Sequence, residues 1–335
     1  QMSSAPVKQR QVMTIEMRKL RPAELIQAAA VARRYYLDGA SKVEIGKEFG
    51  LSRFKVARVL HEARDAGLVR IDIAVPTEID ADLSNTLRAR YGLAAAIVVA
   101  TPEDTPDALR RHVGRMAAEY LTEVVTEDDV VGLACSRTLH AMTQALTALP
   151  RVTVVQLTGV HPGGVEENSV ELVRKVASLA RGPAYPIYAP LLVSDAATAR
   201  GLRAQPQVAE AMKRYQDLTK AVVAIGSWDP PLSLVRDGLP YAESEVLRRR
   251  GVRAEVCARL LDDAGEPVAD LADRVIGITV EELRSVPEVI AVAAGAGKTQ
   301  AARAVLNGGF VTALVTDATV ARELVAGDPD ARPGT

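Results

Sequence analysis

The tightest constraint in this chain is a series of short apolar runs recurring from about residue 92 onward. AAIVVA (95–100), VVGLA (130–134), TVVQLTG (153–159), AYPIYAP (184–190), AVVAIG (221–226), VIGIT (275–279), VIAVAAG (289–295) and FVTALVTD (310–317) are mostly continuous rather than alternating in polarity. Strands of that kind are buried on both faces, as in a parallel sheet covered by helices. Helical patterning separates them, at about 107–125, 138–148, 167–180, 195–204, 206–217, 281–285, 298–307 and 317–326. The alternation predicts a doubly wound α/β domain over 92–330. With 48% hydrophobic but only 4% aromatic residues, its core has to be built from Ala, Val, Leu and Ile.

A different pattern governs the first part of the chain. Residues 23–37 read as a helix ended by Asp38-Gly39, and Ser41 to Ala66 then reads SKVEIGKEFGLSRFKVARVLHEARDA. Gly50 suits a turn between two short helices, with Ile45 and Phe49 as an apolar pair on the first and small Gly46 at the crossing. Leu51 plugs the turn, and Val56, Val59 and Leu60 give the second helix its buried stripe. That spacing predicts a helix-turn-helix. Ser52 is a suitable N-cap. The opposite face carries Phe54, Lys55, Arg58 and His61, with Arg53 at the exposed first turn; Tyr35 and Lys42 flank it. A helix with an apolar back and a basic front suits the DNA major groove. An ordinary helical hairpin with a solvated basic face is the alternative. The run LVRIDIAV (68–75) suggests a short strand or wing closed by Pro76, so the small domain spans 23–76. Residues 1–22 are expected as a flexible basic arm or a disordered tail, and 77–91 as a linker helix with Ile79, Leu83 and Leu87 at helical spacing.

The charge distribution agrees. Residues 1–70 carry a formal +7 and the remainder −8, although the whole chain is near −1. A basic head on an acidic body fits a nucleic-acid-binding module joined to something else. No apolar run approaches the length of a membrane span and no signal peptide opens the chain, so a cytoplasmic location is expected. Cys135 and Cys257 show no redox-motif spacing, and no metal site or cofactor is expected.

In an open parallel sheet, ligands bind beyond the carboxyl ends of the strands. After VVGLA come Cys135, Ser136, Arg137 and Thr138, whose hydroxyls and helix-start N–H groups suit an anion or sugar hydroxyls, or simply cap a helix. Gln156 and Thr158 end the next strand. Trp228 and Asp229 follow AVVAIG, as a sugar platform with a hydroxyl acceptor or as a self-packed loop. Gly295 and Gly297 precede Lys298 at a helix start, where helix dipole and ammonium favour an anion. The spacing is not that of a P-loop. Asp317 ends the last strand and would cap the following helix.

The motif order, from ARRYYLDGASKVEIGKEFGLSRFKVARVLHEARDAGLVRI through VVQLTG, AIGSWDPP, LDDAGEPV and RVIGITVEELRSVPEVIAVAAGAGKTQAARAVLNGGFVTALVTDATVARELV, resembles the SorC family of bacterial sugar-responsive regulators over nearly the whole chain. The resemblance implies an effector domain related to ribose-5-phosphate isomerase and glucosamine-6-phosphate deaminase without their catalytic equipment. It implies homo-oligomers, dimers or tetramers, on double-stranded operator DNA, responding to a sugar, polyol or sugar phosphate of a catabolic operon. It makes Lys298 a phosphate or hydroxyl ligand, Asp229 and Asp317 sugar-contacting carboxylates, and Gln156 the pocket floor. The chain departs from the pattern at GLACSRTL, where Cys135 and Ser136 replace expected glycines; a side chain there crowds a phosphate, while Arg137 would compensate with charge. An enzyme is the other class of function: a sugar-phosphate isomerase or deaminase with an accessory DNA-binding head. It would need a general base; Asp229 and Asp317 qualify by position, whereas His61 lies on the basic helix and His112 and His140 lie within helices, leaving His161 at a strand end.

Overall fold

The computed structural model describes residues 21–69, 78–101, 105–161 and 168–327. The chain divides into two compact units, Gln1–Ala74 and Val75–Thr335. The arm expected over 1–22 falls almost wholly outside the described residues, and so does the wing expected over 68–75 beyond Val69.

The first unit contains α1 (Pro22–Tyr36), α2 (Lys42–Phe49) and α3 (Arg53–Asp65). Each start has a local cause. Pro22 occupies the first turn of α1, where its missing N–H costs nothing. Ser41 and Glu44 cap α2 reciprocally, the Ser41 N–H donating to Glu44 Oε2 at 2.8 Å and the Glu44 N–H to Ser41 Oγ at 3.3 Å. Ser52 accepts the Lys55 N–H at 3.2 Å and starts α3. Gly50 ends α2 with φ of 64°, a left-handed turn that glycine takes without strain. Gly46 lies at the crossing: a Cβ there would stand 2.5 Å from the Leu51 carbonyl oxygen. Ala28, Val31, Ala32, Ile45, Val56, Val59, Leu60 and Ala63 form the buried core, with Tyr35, Phe49 and Leu51 packed against it.

In the second unit the helices are α4 (Ala81–Tyr91), α5 (Pro106–Val124), α6 (Arg137–Ala145), α7 (Ser169–Ala180), α8 (Ala196–Arg203), α9 (Pro206–Lys213), α10 (Leu234–Asp237), α11 (Tyr241–Arg249), α12 (Val280–Arg284), α13 (Thr299–Asn307) and α14 (Ala318–Ala326). A seven-stranded parallel sheet runs through it: β1 (Ala95–Val99), β2 (Val130–Leu133), β3 (Thr153–Gln156), β4 (Ala184–Tyr185), β5 (Lys220–Ala224), β10 (Glu288–Ala293) and β11 (Ala313–Asp317), in spatial order β1-β11-β10-β5-β2-β3-β4. The inner strands are buried at consecutive positions, so both faces are covered. A second, antiparallel sheet joins β6 (Gly226–Ser227), β7 (Ala254–Val256), β8 (Arg259–Leu261) and β9 (Pro267–Val268). It carries its own apolar cluster around Trp228, Leu247, Leu260 and Leu271.

Three expectations need correcting. The helix expected to be a linker begins at Ala81, capped by Asp80, and buries Leu87 in the large core against β1 and α14. It is part of the α/β unit. Residues 275–279 form no strand: Val275 and Gly277 make isolated bridges to Leu192 and Thr158, so this buried apolar run crosses between two loops. The run 184–190 joins β3 only through Ala184 and Tyr185, because Pro186 has no N–H for the ladder; at its far end Pro190 makes an isolated bridge to Val160.

Candidate functional site

Two places merit description, one in each unit. On α3, Arg53, Phe54, Lys55 and Arg58 are exposed along one side. The first turn of α3 has no acidic residue, whereas α1 and α2 begin with Glu24 and Glu44. Helix N-termini carry partial positive charge, so Arg53 and Lys55 there leave a cationic end that favours an outside anion. Arg58 makes only a loose ion pair with Glu62 at 3.7 Å. The Arg53 guanidinium lies over the Phe54 ring at 5.0 Å, and Lys42 over the Tyr35 ring at 5.6 Å. Tyr35 is half-buried at the end of α1, next to the exposed Tyr36.

The second place is a cavity of about 350 Å³ at the carboxyl ends of β2, β5 and β10. The chain leaves β2 toward β3 on one side and β10 toward β11 on the other, so a crevice opens where the direction reverses. Ser136 caps α6 by accepting the Leu139 N–H at 3.1 Å. Ser136, Arg137 and Thr138 line the cavity at that helix start, and Lys298 lines it from the loop after β10. These are the sequence-predicted residues that converge. The Lys298 ammonium donates to the Leu232 carbonyl. Burial lowers its pKa to about 8, helped by Arg137 and Arg110 and opposed by Glu255 and Asp237.

Four predicted contacts lie elsewhere. Trp228 is fully buried in the satellite cluster, its Nε1–H donating to the Ser244 carbonyl at 3.1 Å, so its ring offers no platform. Asp229 is exposed outside the cavity, 4.0 Å from Arg248, because the chain turns outward after β6. Gln156 is fully buried and committed: its amide donates to Thr158 O at 2.6 Å and Ser169 Oγ at 2.9 Å, and its carbonyl accepts the Ile187 N–H at 3.0 Å. Asp317 is buried, accepting from Gly295 N at 2.6 Å and from Thr319 N and Val320 N at 2.9 and 3.2 Å. It holds the glycine loop in place from behind.

Two charged lining residues escaped the sequence reading, Arg110 on α5 and Glu255 on β7. Glu255 Oε2 accepts the Ala258 N–H at 3.0 Å and Oε1 the Ser233 hydroxyl at 3.3 Å. Burial raises its pKa against these hydrogen bonds and the Lys298 charge. Gly226 makes room for it, since a Cβ there would stand 2.3 Å from Glu255 Oε1. Beside it the β7–β8 hairpin turns on Cys257 and Ala258, at φ of 52° and 61°. Two-residue turns of this kind favour Asn-Gly, so the strained pair at the cavity wall marks a built feature. Burial also raises the Cys257 thiol pKa. A lone Glu amid AEVCA was the available signal, but nothing local ties it to Lys298. The assembled lining offers cations and hydroxyls at one end and a carboxylate acceptor within, which suits an anionic ligand bearing hydroxyl groups.

Comparison with known proteins agrees with this division. A family model described as "Putative sugar-binding domain" matches residues 75–326. The "Uncharacterized transcriptional regulator YjhU" of Escherichia coli K12 is 31% identical over 301 residues, covering 87% of this chain and 92% of that protein. The "Deoxyribonucleoside regulator" of Bacillus subtilis is 28% identical, covering 88% and 95%. Among solved structures, the full-length sorbitol operon regulator SorC from Klebsiella pneumoniae shares the fold with a TM-score of 0.68 at 22% identity, covering 90% of this chain and 99% of that one. The class is thus a transcriptional regulator that carries a sugar-binding domain. Within that class, the chain belongs to the SorC family of sugar-binding transcriptional regulators. Among the described residues no helix is long and apolar enough to cross a membrane.

Proposed function

We propose that this regulator binds operator DNA through a helix-turn-helix formed by α2 and α3, in a small domain spanning residues 23–76. Its activity is set by a sugar, polyol or sugar-phosphate effector in the cavity of an effector domain that takes in α4 and runs on to about residue 330. The observation that carries the first half is the exposed, carboxylate-free first turn of α3, with Arg53, Phe54 and Lys55 presented over a capped start. Arg58 would follow one turn on, and Lys42 and Tyr35 would flank the groove at the phosphate backbone. For the second half, Arg110, Arg137 and Lys298 support an anionic effector, held at the start of α6 by Ser136 and Thr138, with Glu255 accepting a hydroxyl. Arg137 offsets the missing glycines at Cys135 and Ser136.

The protein acts in the cytoplasm as a homodimer or homotetramer, so that two heads meet two half-sites. It is not an enzyme on this reading, and the placement of the two carboxylates that qualified as bases supports that. Asp317 spends both oxygens on backbone N–H groups, and Asp229 lies outside the cavity. The test combines two titrations on the full chain: a panel of sugars, polyols and their phosphates followed by calorimetry, and selected DNA duplexes followed by anisotropy. A phosphate ester that binds wild type but not Lys298→Met, and shifts duplex affinity without being turned over, supports the reading. Turnover of the ester would replace it with the enzyme.

A further inference from the structure

The chain has three phenylalanines, and they are treated very differently. Phe49 packs in the three-helix core and Phe310 is buried in the α/β core, but Phe54 is 75% exposed. Its place is not arbitrary. It is the second residue after the Ser52 cap of α3, between Arg53 and Lys55, in the turn whose side chains meet base edges when such a helix enters a major groove. The Arg53 guanidinium lies over the ring at 5.0 Å, a cation–π contact that restrains a side chain otherwise free in water. One face of the ring is thereby covered, while the remaining edge and face stay open.

A phenyl ring neither donates nor accepts an ordinary hydrogen bond, so it cannot read the donor and acceptor pattern of guanine, adenine or cytosine. The one apolar group that the four standard bases present in the major groove is the C5-methyl of thymine. Phosphates would repel nothing here but gain nothing from the ring either, so a backbone-contacting role falls to Arg53 and Lys55 instead. We propose that Phe54 is a specificity-determining residue that recognises a thymine in each operator half-site through its C5-methyl group, with Arg53 as the residue that positions the ring. The proposal rests on the docking of α3 described above and adds the base that it reads.

The test uses the full-length chain. Its preferred duplex is selected from a randomised library, and each thymine of that duplex is then replaced singly by uracil, which removes only the methyl group. Binding of wild type, Phe54→Ala and Arg58→Ala is measured by anisotropy at fixed salt. Burying one methyl group is worth about fourfold in affinity. Wild type should therefore lose roughly fourfold at one thymine per half-site. Phe54→Ala should bind the thymine and uracil duplexes equally, and should lose its preference for thymine at that position on reselection. Phe54 is exposed, so its replacement leaves the helical core intact, and an unchanged circular dichroism spectrum verifies that. If Arg58→Ala binds weakly but no thymine is sensitive to uracil, the docking stands and the role of Phe54 is overturned. If uracil sensitivity persists in Phe54→Ala, another side chain reads the methyl and the proposal is equally overturned. If no sequence is enriched and Arg58→Ala matches wild type, both the docking and the reading of thymine fall together.

Discussion

The two units carry their chemistry in opposite ways. In the three-helix unit, most of the side chains assigned to DNA come from one continuous stretch, Ser52 to Arg58, and all stand on the outside of a helix. In the α/β unit, the cavity draws Arg110, Ser136, Arg137, Glu255 and Lys298 from three separate elements, α5, α6 and β7, and from the loop after β10. The first needs only a stable helix and a correct crossing angle. The second needs a sheet, two strand-end loops and a strained hairpin to arrive together. The lesson is that a surface made by one element is robust and locally encoded, whereas a cavity is a property of topology.

The sharpest way to break the comparison is to break one unit and leave the other. Gly46→Val places a branched side chain against the Leu51 carbonyl, 2.5 Å from where its Cβ would stand. Overpacking of this kind costs about 3 kcal/mol. A small helical unit has little stability to spare, so DNA binding should vanish while calorimetry still detects the effector. Loss of both would mean that the units do not fold independently.

The next effect lies in the cavity. Lys298→Met should weaken binding of a phosphate ester roughly tenfold to a hundredfold, since a hydrogen bond to a charged group contributes about 1.5–3 kcal/mol. Affinity for operator DNA without effector should not change.

The same lysine predicts a pH dependence. Burial lowers its pKa to about 8. A bound anion favours the protonated form and raises that value, so binding takes up a proton once the pH exceeds 8. Affinity should be level between about pH 7 and 8, then fall by up to tenfold per unit until the bound-state pKa is passed. Lys298→Arg keeps its charge throughout and should flatten the profile. An equally steep profile in that variant would assign the proton to another group.

The smallest effect concerns Trp228, whose indole N–H donates to the Ser244 carbonyl inside the satellite cluster. Trp228→Phe should cost about 1–2 kcal/mol of stability, read from urea unfolding, because the buried cluster loses the indole hydrogen bond and part of its packing. Effector affinity should hold. A large loss of affinity with stability preserved would return this residue to the site.

How far the sequence revealed these features follows the same division. The capped helices, the Gly46 crossing and the exposed basic side of α3 could be read because each depends on neighbours within a turn or two. The long strands were legible from their continuous apolar runs. The antiparallel sheet was not, since its strands have only two or three residues and show no period. Ser136, Arg137, Thr138 and Lys298 could be placed because strand ends followed by helix starts point to a binding crevice. That rule failed at Trp228 and Asp229, where position after a strand does not say which way the chain turns. It failed at Gln156 and Asp317 for another reason: a buried polar side chain at a strand end serves backbone groups as readily as ligands. Arg110 and Glu255 reach the cavity from a helix and a hairpin, and only the fold brings them there.

The central claim is that the cavity and the exposed face of α3 are energetically linked. The direct measurement is a thermodynamic cycle: affinity of the full chain for its selected duplex with and without a saturating phosphate ester, and affinity for that ester with and without the duplex. The account predicts a change in duplex affinity of roughly 5- to 150-fold, mirrored by the same factor on the ester. An ester that binds the cavity tightly yet leaves duplex affinity unchanged would contradict it.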